Sequence, residues 1–230
     1  MWQDAQTRAA LLAAAAAGQP DGTREQAIWA LANLTNAASN RVPMWEDVQL
    51  RGVLLAAAAA GQPDETRAQA IRALGNLARV ASNRVPMGED VMVRGVLLAA
   101  AAAGQPDGTR EQAIYTLANL TRYSNRVPIW EDVQLRGVLL AAAAAGQPDE
   151  TRKQANRALG NLAGAASNRV PMWEDAQLRG VLLAAAAAGQ PDRTREQAIC
   201  TLANLAGAAS NRVPMWEDVL VRGVLLAAAA

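Results

Sequence analysis

The chain contains no histidine and no phenylalanine, one cysteine (Cys200), one lysine (Lys153), and aromatic residues at only 3% of its 230 positions. Each shortage removes a class of chemistry. Without histidine there is no Ser-His-Asp or Cys-His catalytic pair and no histidine-ligated metal. A single cysteine excludes an intrachain disulfide and every multi-cysteine zinc or iron–sulfur site. Cys200 has no lysine or histidine beside it in sequence to favour a thiolate. The five serines (Ser39, Ser82, Ser124, Ser167, Ser210) all lie in one recurring Ser-Asn pair, none of them in a nucleophile elbow. We therefore expect no catalysis, no metal and no cofactor.

The net charge of +1 gives no bulk attraction to nucleic acid or to an anionic membrane. Apolar runs such as residues 53–60 fall far short of the roughly 18 residues that a membrane span needs. Residues 9–17 have the look of a signal-peptide core. Nearly the same segment returns at 53–60, 96–103, 138–145 and 181–188, so it reads as structure. A cytoplasmic location is the expectation, with the nucleus as the alternative.

What the sequence has in abundance is repetition. Gly-Gln-Pro-Asp begins at Gly18, Gly61, Gly104, Gly146 and Gly189, at spacings of 43, 43, 42 and 43. Such a period marks stacked supersecondary units, none of which can bury its apolar face alone. The one-residue deletion falls near Tyr123, in a boundary between helices. The frame predicts a single repeat domain over 1–230, with an N-terminal capping helix at 1–17 and repeats 18–60, 61–103, 104–145, 146–188 and 189–230.

One unit resolves into three helices. DETRAQAIRALGNLA from Asp64 carries Ala70, Ile71, Leu74 and Leu77 at helical spacing, started by Pro63-Asp64 or by a Thr66/Gln69 capping box. Residues 81–84 read as a turn, and Pro86 opens a short helix over 87–90. A third segment, 91–103, ends at Gly104-Gln105-Pro106. No alternating β pattern is present. The poly-alanine runs, placed after Val-Leu-Leu, suit a close helix–helix seam rather than low complexity.

QAIWALANLT (26–35) resembles the third helix of armadillo repeats, with a Trp and, four residues on, an Asn. The order of a short helix after an asparagine (NRVPMWED), an apolar helix and a longer helix is similar as well. The resemblance to the armadillo/HEAT superfamily covers essentially the whole chain, and the short first helix favours the armadillo type. It implies an all-α, right-handed α-solenoid of about five 42–43-residue three-helix repeats. It also implies that the asparagines Asn33, Asn76, Asn119, Asn161 and Asn204 bond the backbone of an extended peptide. Against the pattern, the Trp column reads Trp29, Arg72, Tyr115, Arg157 and Cys200.

Comparing the repeats with one another leads the same way. GQPD, SNRVP, ED and RGVLLAAAA scarcely change, while the third helix varies. Its columns are Glu25, Ala68, Glu111, Lys153, Glu196; then the Trp column; then the asparagines; then Asn36, Arg79, Arg122, Gly164, Gly207. Spacings of four, four and three put them on one face. A fixed frame with one variable stripe is the pattern of a modular binding surface, and free drift of exposed positions is its rival. Layers roughly 8–10 Å apart and about 3.3 Å per extended residue would give roughly two to three ligand residues per repeat.

The expected partner is an extended peptide or protein segment, with Glu25/Trp29, Glu111/Tyr115 and Glu196/Cys200 in odd repeats and Arg72 and Lys153/Arg157 in even ones as alternating pockets. A structural or self-assembling scaffold without a peptide ligand remains open, as does modular reading of single-stranded RNA. Near-identical repeats are consensus-like and fit recent duplication or design equally. The Glu-Asp pairs, with Asp47 four residues before Arg51, read as surface ion pairs. The tryptophans of the short helix (Trp45, Trp130, Trp173, Trp216) read as inter-repeat packing. Arg24, Arg67, Arg110, Arg152 and Arg195 read as a packing and salt-bridge ladder. Asn156 replaces an isoleucine at a core position. Leu220 and Leu225 in the last helix leave apolar surface that predicts self-association or a cut from a longer array.

Overall fold

The computed structural model describes residues 2–229, which form sixteen α-helices, two short 3-10 turns and no strand. It contains two compact units, residues 1–120 and 121–230. The first holds α1 (Ala5–Ala15), α2 (Asp21–Leu34), α3 (Ala38–Glu46), α4 (Val48–Ala58), α5 (Asp64–Leu77), α6 (Ala81–Glu89), α7 (Val91–Ala101) and α8 (Asp107–Leu120). The second holds α9 (Arg126–Glu131), α10 (Val133–Ala143), α11 (Asp149–Ala163), α12 (Arg169–Glu174), α13 (Ala176–Ala186), α14 (Asp192–Leu205), α15 (Ala209–Glu217) and α16 (Val219–Ala229). A short, an apolar and a long helix follow one another in each unit.

The long helices α2, α5 and α8 stack side by side in the first unit, as α11 and α14 do in the second. Each starts after a proline, whose carbonyl accepts the first helical N–H (Arg67 N to Pro63 O, 2.9 Å). Asp64 and Glu65 in the first turn suit the positive end of the helix. The Thr66/Gln69 capping box does not form: Thr66 is buried and Gln69 bonds Glu65 instead. Ile28, Leu31, Ile71, Leu74, Leu77 and Ile114 are fully buried along this layer. Each such side chain contributes about 1.5–3 kcal/mol by leaving water.

The apolar helices pack on the long ones through the alanine runs, with Leu54, Ala57 and Ala58 of α4 buried. Their starts correct an expectation. Asp47, Asp90, Asp132, Asp175 and Asp218 are N-caps, accepting N–H groups two or three residues on, as Asp47 does from Leu50 at 3.0 Å. A carboxylate there satisfies otherwise orphaned donors. Asp47 and Asp175 also meet Arg8 and Arg136 of the preceding apolar helix, at 3.7 and 3.8 Å, rather than an arginine four residues on. Arg51, Arg136 and Arg179 stack over Trp45, Trp130 and Trp173, with the guanidinium about 5 Å from the ring. After each apolar helix the chain turns through a glycine at positive φ, such as Gly61 at 86°. Gln62 N reaches back to Ala59 O at 3.4 Å, the type II arrangement that only a residue tolerant of this region completes without strain.

The short helices also begin earlier than their prolines. Residues 81–84 are the first turn of α6, and Pro86 lies inside it. In α9 and α12 this turn is a separate 3-10 segment, so Pro128 and Pro171 are third helical residues, where the missing N–H loses no intrahelical bond. The constant Asn-Arg pair does structural work there. Asn83 Nδ2 donates to Leu77 O (3.1 Å) and to Arg41 O of the preceding short helix (3.0 Å). Arg84 closes the end of α5 through Ala78 O and Arg79 O. Of the arginines at the long-helix starts Arg24, Arg67, Arg110 and Arg152 are buried and Arg195 is half-buried; Arg67 meets Gln105 at 2.8 Å and Asp64 at 3.9 Å.

Candidate functional site

In the first unit the variable stripe lies along α2, α5 and α8. Trp29 is 49% exposed, an unusual state for the largest side chain. With Glu25, Gln26, Glu65 and Gln69 it lines a recess of about 260 Å3. Two carboxylates flanking a ring face suit a cationic side chain. Arg72 leans back and donates to Asn33 Oδ1 at 2.8 Å. Tyr115 and Glu111 are half-buried, with Tyr115 against the backbone of Gly75.

In the second unit Lys153, Gln154, Arg157, Arg193, Glu196 and Gln197 line a recess of about 430 Å3. Three cations against one carboxylate give it the opposite charge. Burial raises the Glu150 carboxyl, but hydrogen bonds from Lys153 and Gln154, with the Lys153 and Arg193 charges, hold it below its ordinary value. Glu196 and Cys200 are exposed.

The asparagine column is where structure and expectation part. Asn76 is buried and donates to Thr35 Oγ1 (3.0 Å) and Asn36 Oδ1 (3.1 Å), which uses both amide hydrogens. Asn119, also buried, donates to Gly75 O at 3.0 Å. Asn161 and Asn204 are half-buried and donate to Thr121 Oγ1 (3.2 Å) and Gly160 O (3.3 Å). The ladder couples α5 to α2, α8 to α5 and α14 to α11, so the Asn76 and Asn119 amides are not presented to a ligand. The layers approach closely enough for the carboxamide to reach the neighbour's carbonyl or hydroxyl.

Gln26, Glu65, Gln69 and Arg193 were missing from the sequence-derived set. The signal for Glu65 and Arg193 lies in a further variable column, Gly22, Glu65, Gly108, Glu150, Arg193, three residues before the Glu25 column, whereas Gln26 and Gln69 belong to a constant glutamine column. Among the described residues no group of three or more Cys, Asp or Glu side chains is placed to hold a metal. No helix there is long and apolar enough to cross a membrane.

Layered triplets of short, apolar and long helices are the architecture of armadillo-type α-solenoids, and this chain has that fold. Solved structures agree. A designed armadillo repeat protein superposes with a TM-score of 0.74 at 12% identity, over 95% of this chain and 97% of that one. A second designed armadillo repeat protein, solved in complex with the peptide (KR)4, gives 0.68 at 13% identity over 96% and 97%. An engineered protein from a structural genomics consortium gives 0.71 at 19% identity over 94% and 92%. No protein-family profile matches the sequence, and neither does any curated protein.

Proposed function

We propose that the chain is a non-catalytic scaffold that holds an extended peptide or unstructured protein segment along the long-helix face. The observation that carries this reading is Trp29, half-exposed between Glu25 and Glu65, on a face whose frame side chains are spent on internal bonds. Support also comes from the peptide-bound designed armadillo protein of the same fold. Basic residues of the ligand would enter the Trp29 recess, and acidic ones the Lys153/Arg157/Arg193 recess. With the Asn76 and Asn119 amides engaged, Trp29, Tyr115, Glu25, Glu111, Arg157, Lys153 and Glu196 carry the contact. The test is a peptide array at low and moderate salt, followed by titration of the best binder. Trp29→Ala should weaken binding about tenfold or more with unchanged unfolding, since buried aromatic anchors dominate such contacts. Equal binding of charge-scrambled peptides would sink the reading.

A second reading, self-association, is favoured by the last repeat. Trp216 is 69% exposed where Trp45 and Trp130 are 4% exposed. Met215, Trp216, Val221 and Leu225 help line an apolar recess of about 260 Å3. Sedimentation of the chain and of Leu220→Gln/Leu225→Gln over a wide concentration range decides it. A concentration-dependent mass lost in the variant supports association, and two identical monomers refute it.

A further inference from the structure

Some arginines of the frame sit beside a carboxylate or carboxamide: Arg8 with Asp47, Arg67 with Asp64 and Gln105, Arg136 with Asp175. Arg41, like Arg84, Arg169 and Arg212, bonds carbonyls of the preceding long-helix end instead, and it has Arg79 near it. Arg41 is buried; its Nε donates to Thr35 O at 3.0 Å and its Nη2 to Asn36 O at 2.7 Å, closing the end of α2. Its Nη1 has no acceptor among the described residues. Arg79 is exposed just past α5, and its guanidinium has no hydrogen-bond or ion-pair partner there. Burial pushes the Arg41 guanidinium below its usual value and the nearby Arg79 charge pushes the same way, with the Tyr115 phenol acting against them. No carboxylate contributes. Asn36 is exposed, and its Oδ1 is taken by Asn76, which leaves its amide hydrogens to face outward.

The last two repeats supply the internal contrast. There the position of Arg79 is held by Gly164 and Gly207, and the preceding short-helix arginine lies over each. A Cβ at Gly164 would sit 3.0 Å from Arg126 Cζ, and one at Gly207 2.7 Å from Arg169 Nη1. One guanidinium stands there; in the first unit Arg79 is added, its backbone N–H bonding Asn76 O at 3.2 Å beside the Asn36 whose carbonyl holds Arg41.

We propose that Arg41, Arg79 and Asn36 form an oxyanion site, taking a carboxylate or a phosphoryl group. Two guanidiniums without a counter-charge repel one another, and an oxyanion between them converts that repulsion into charge-assisted hydrogen bonds. Arg41 is held in place by two carbonyls, so little side-chain freedom is lost when an anion arrives. The site stands on this geometry alone; that its anion is carried by a bound peptide rests on the peptide-holding reading above.

The test uses the full chain and follows the arginine side-chain N–H resonances during separate titrations with inorganic phosphate and with acetate. Saturable shifts confined to Arg41 and Arg79 are expected, weakened about tenfold in Arg79→Gly, as loss of one charge-assisted contact predicts. That variant copies Gly164 and Gly207, so the frame accommodates it. Saturation with phosphate alone assigns the site to phosphoryl groups, and saturation with both admits carboxylates. Non-saturating shifts spread over all arginines, or an unchanged response in Arg79→Gly, overturn the proposal. Neither outcome depends on whether any peptide binds.

Discussion

The Asn76 carboxamide donates at 3.0 Å to the Thr35 hydroxyl at the end of the preceding long helix, and that hydroxyl donates in turn to Ala32 O at 2.6 Å. The chain of bonds crosses the layer between α2 and α5 and is buried at both members. Asn76→Ala removes two hydrogen bonds and leaves a void, at a cost of about 1–3 kcal/mol. Urea unfolding measures it. A residue kept only for a ligand would leave the midpoint unmoved.

Gly75 faces Thr116 with almost no room. A Cβ there would lie 2.6 Å from Thr116 Oγ1 and 3.0 Å from Tyr115 Cδ1. On an exposed helix, Gly→Ala stabilises by about 1 kcal/mol. Here Gly75→Ala should destabilise instead, by about 1–3 kcal/mol, because α5 and α8 must move apart. Adding Thr116→Ala should restore much of the loss, a coupling that a double-mutant cycle reads directly.

That pair also shows what the sequence made legible. The period, the order of helix types and the all-α class follow from columns read one at a time. The close approach needs two columns read together: Gly75 precedes Thr116, and Gly160, with its Cβ position 3.0 Å from Thr201 Oγ1, precedes Thr201. The capping aspartates were ambiguous for a different reason. Asp47 lies three residues before Leu50 and four before Arg51, and both spacings are productive on a helix, so only the backbone position at its start decides. The interlayer role of Asn76 and Asn119 was hidden because an invariant polar column suits a ligand contact and an interlayer bond equally. Spacing within a helix does not report the distance between helices.

Asn156 stands where Ile28, Ile71 and Ile114 are fully buried, and is itself fully buried. Its Nδ2 donates to Arg152 O at 2.9 Å, one turn back, while Oδ1 has no partner. An unsatisfied buried carbonyl costs about 1–3 kcal/mol. Asn156→Ile, copying the other repeats, should therefore raise stability by about that much, read as a higher urea midpoint with unchanged slope. A loss of stability would mean that the site is shaped around the amide.

The acid limb of stability should carry the mark of Glu150. Lys153 and Gln154 both donate to its carboxylate, and its proton affinity in the folded chain is lowered. A carboxyl with a depressed folded value contributes stability above its unfolded value, and loses that contribution as pH falls through the folded one. The window thus opens at the usual glutamate range and extends below it. Glu150 is 43% exposed, so solvent screens the pair and the effect is small. Glu150→Gln removes the titrating group while keeping an acceptor for Lys153. The variant should unfold at a lower denaturant concentration than the parent at neutral pH, and the two should converge as pH drops below the glutamate range. A difference that stays constant across the whole range would show that the carboxylate's charge contributes nothing there.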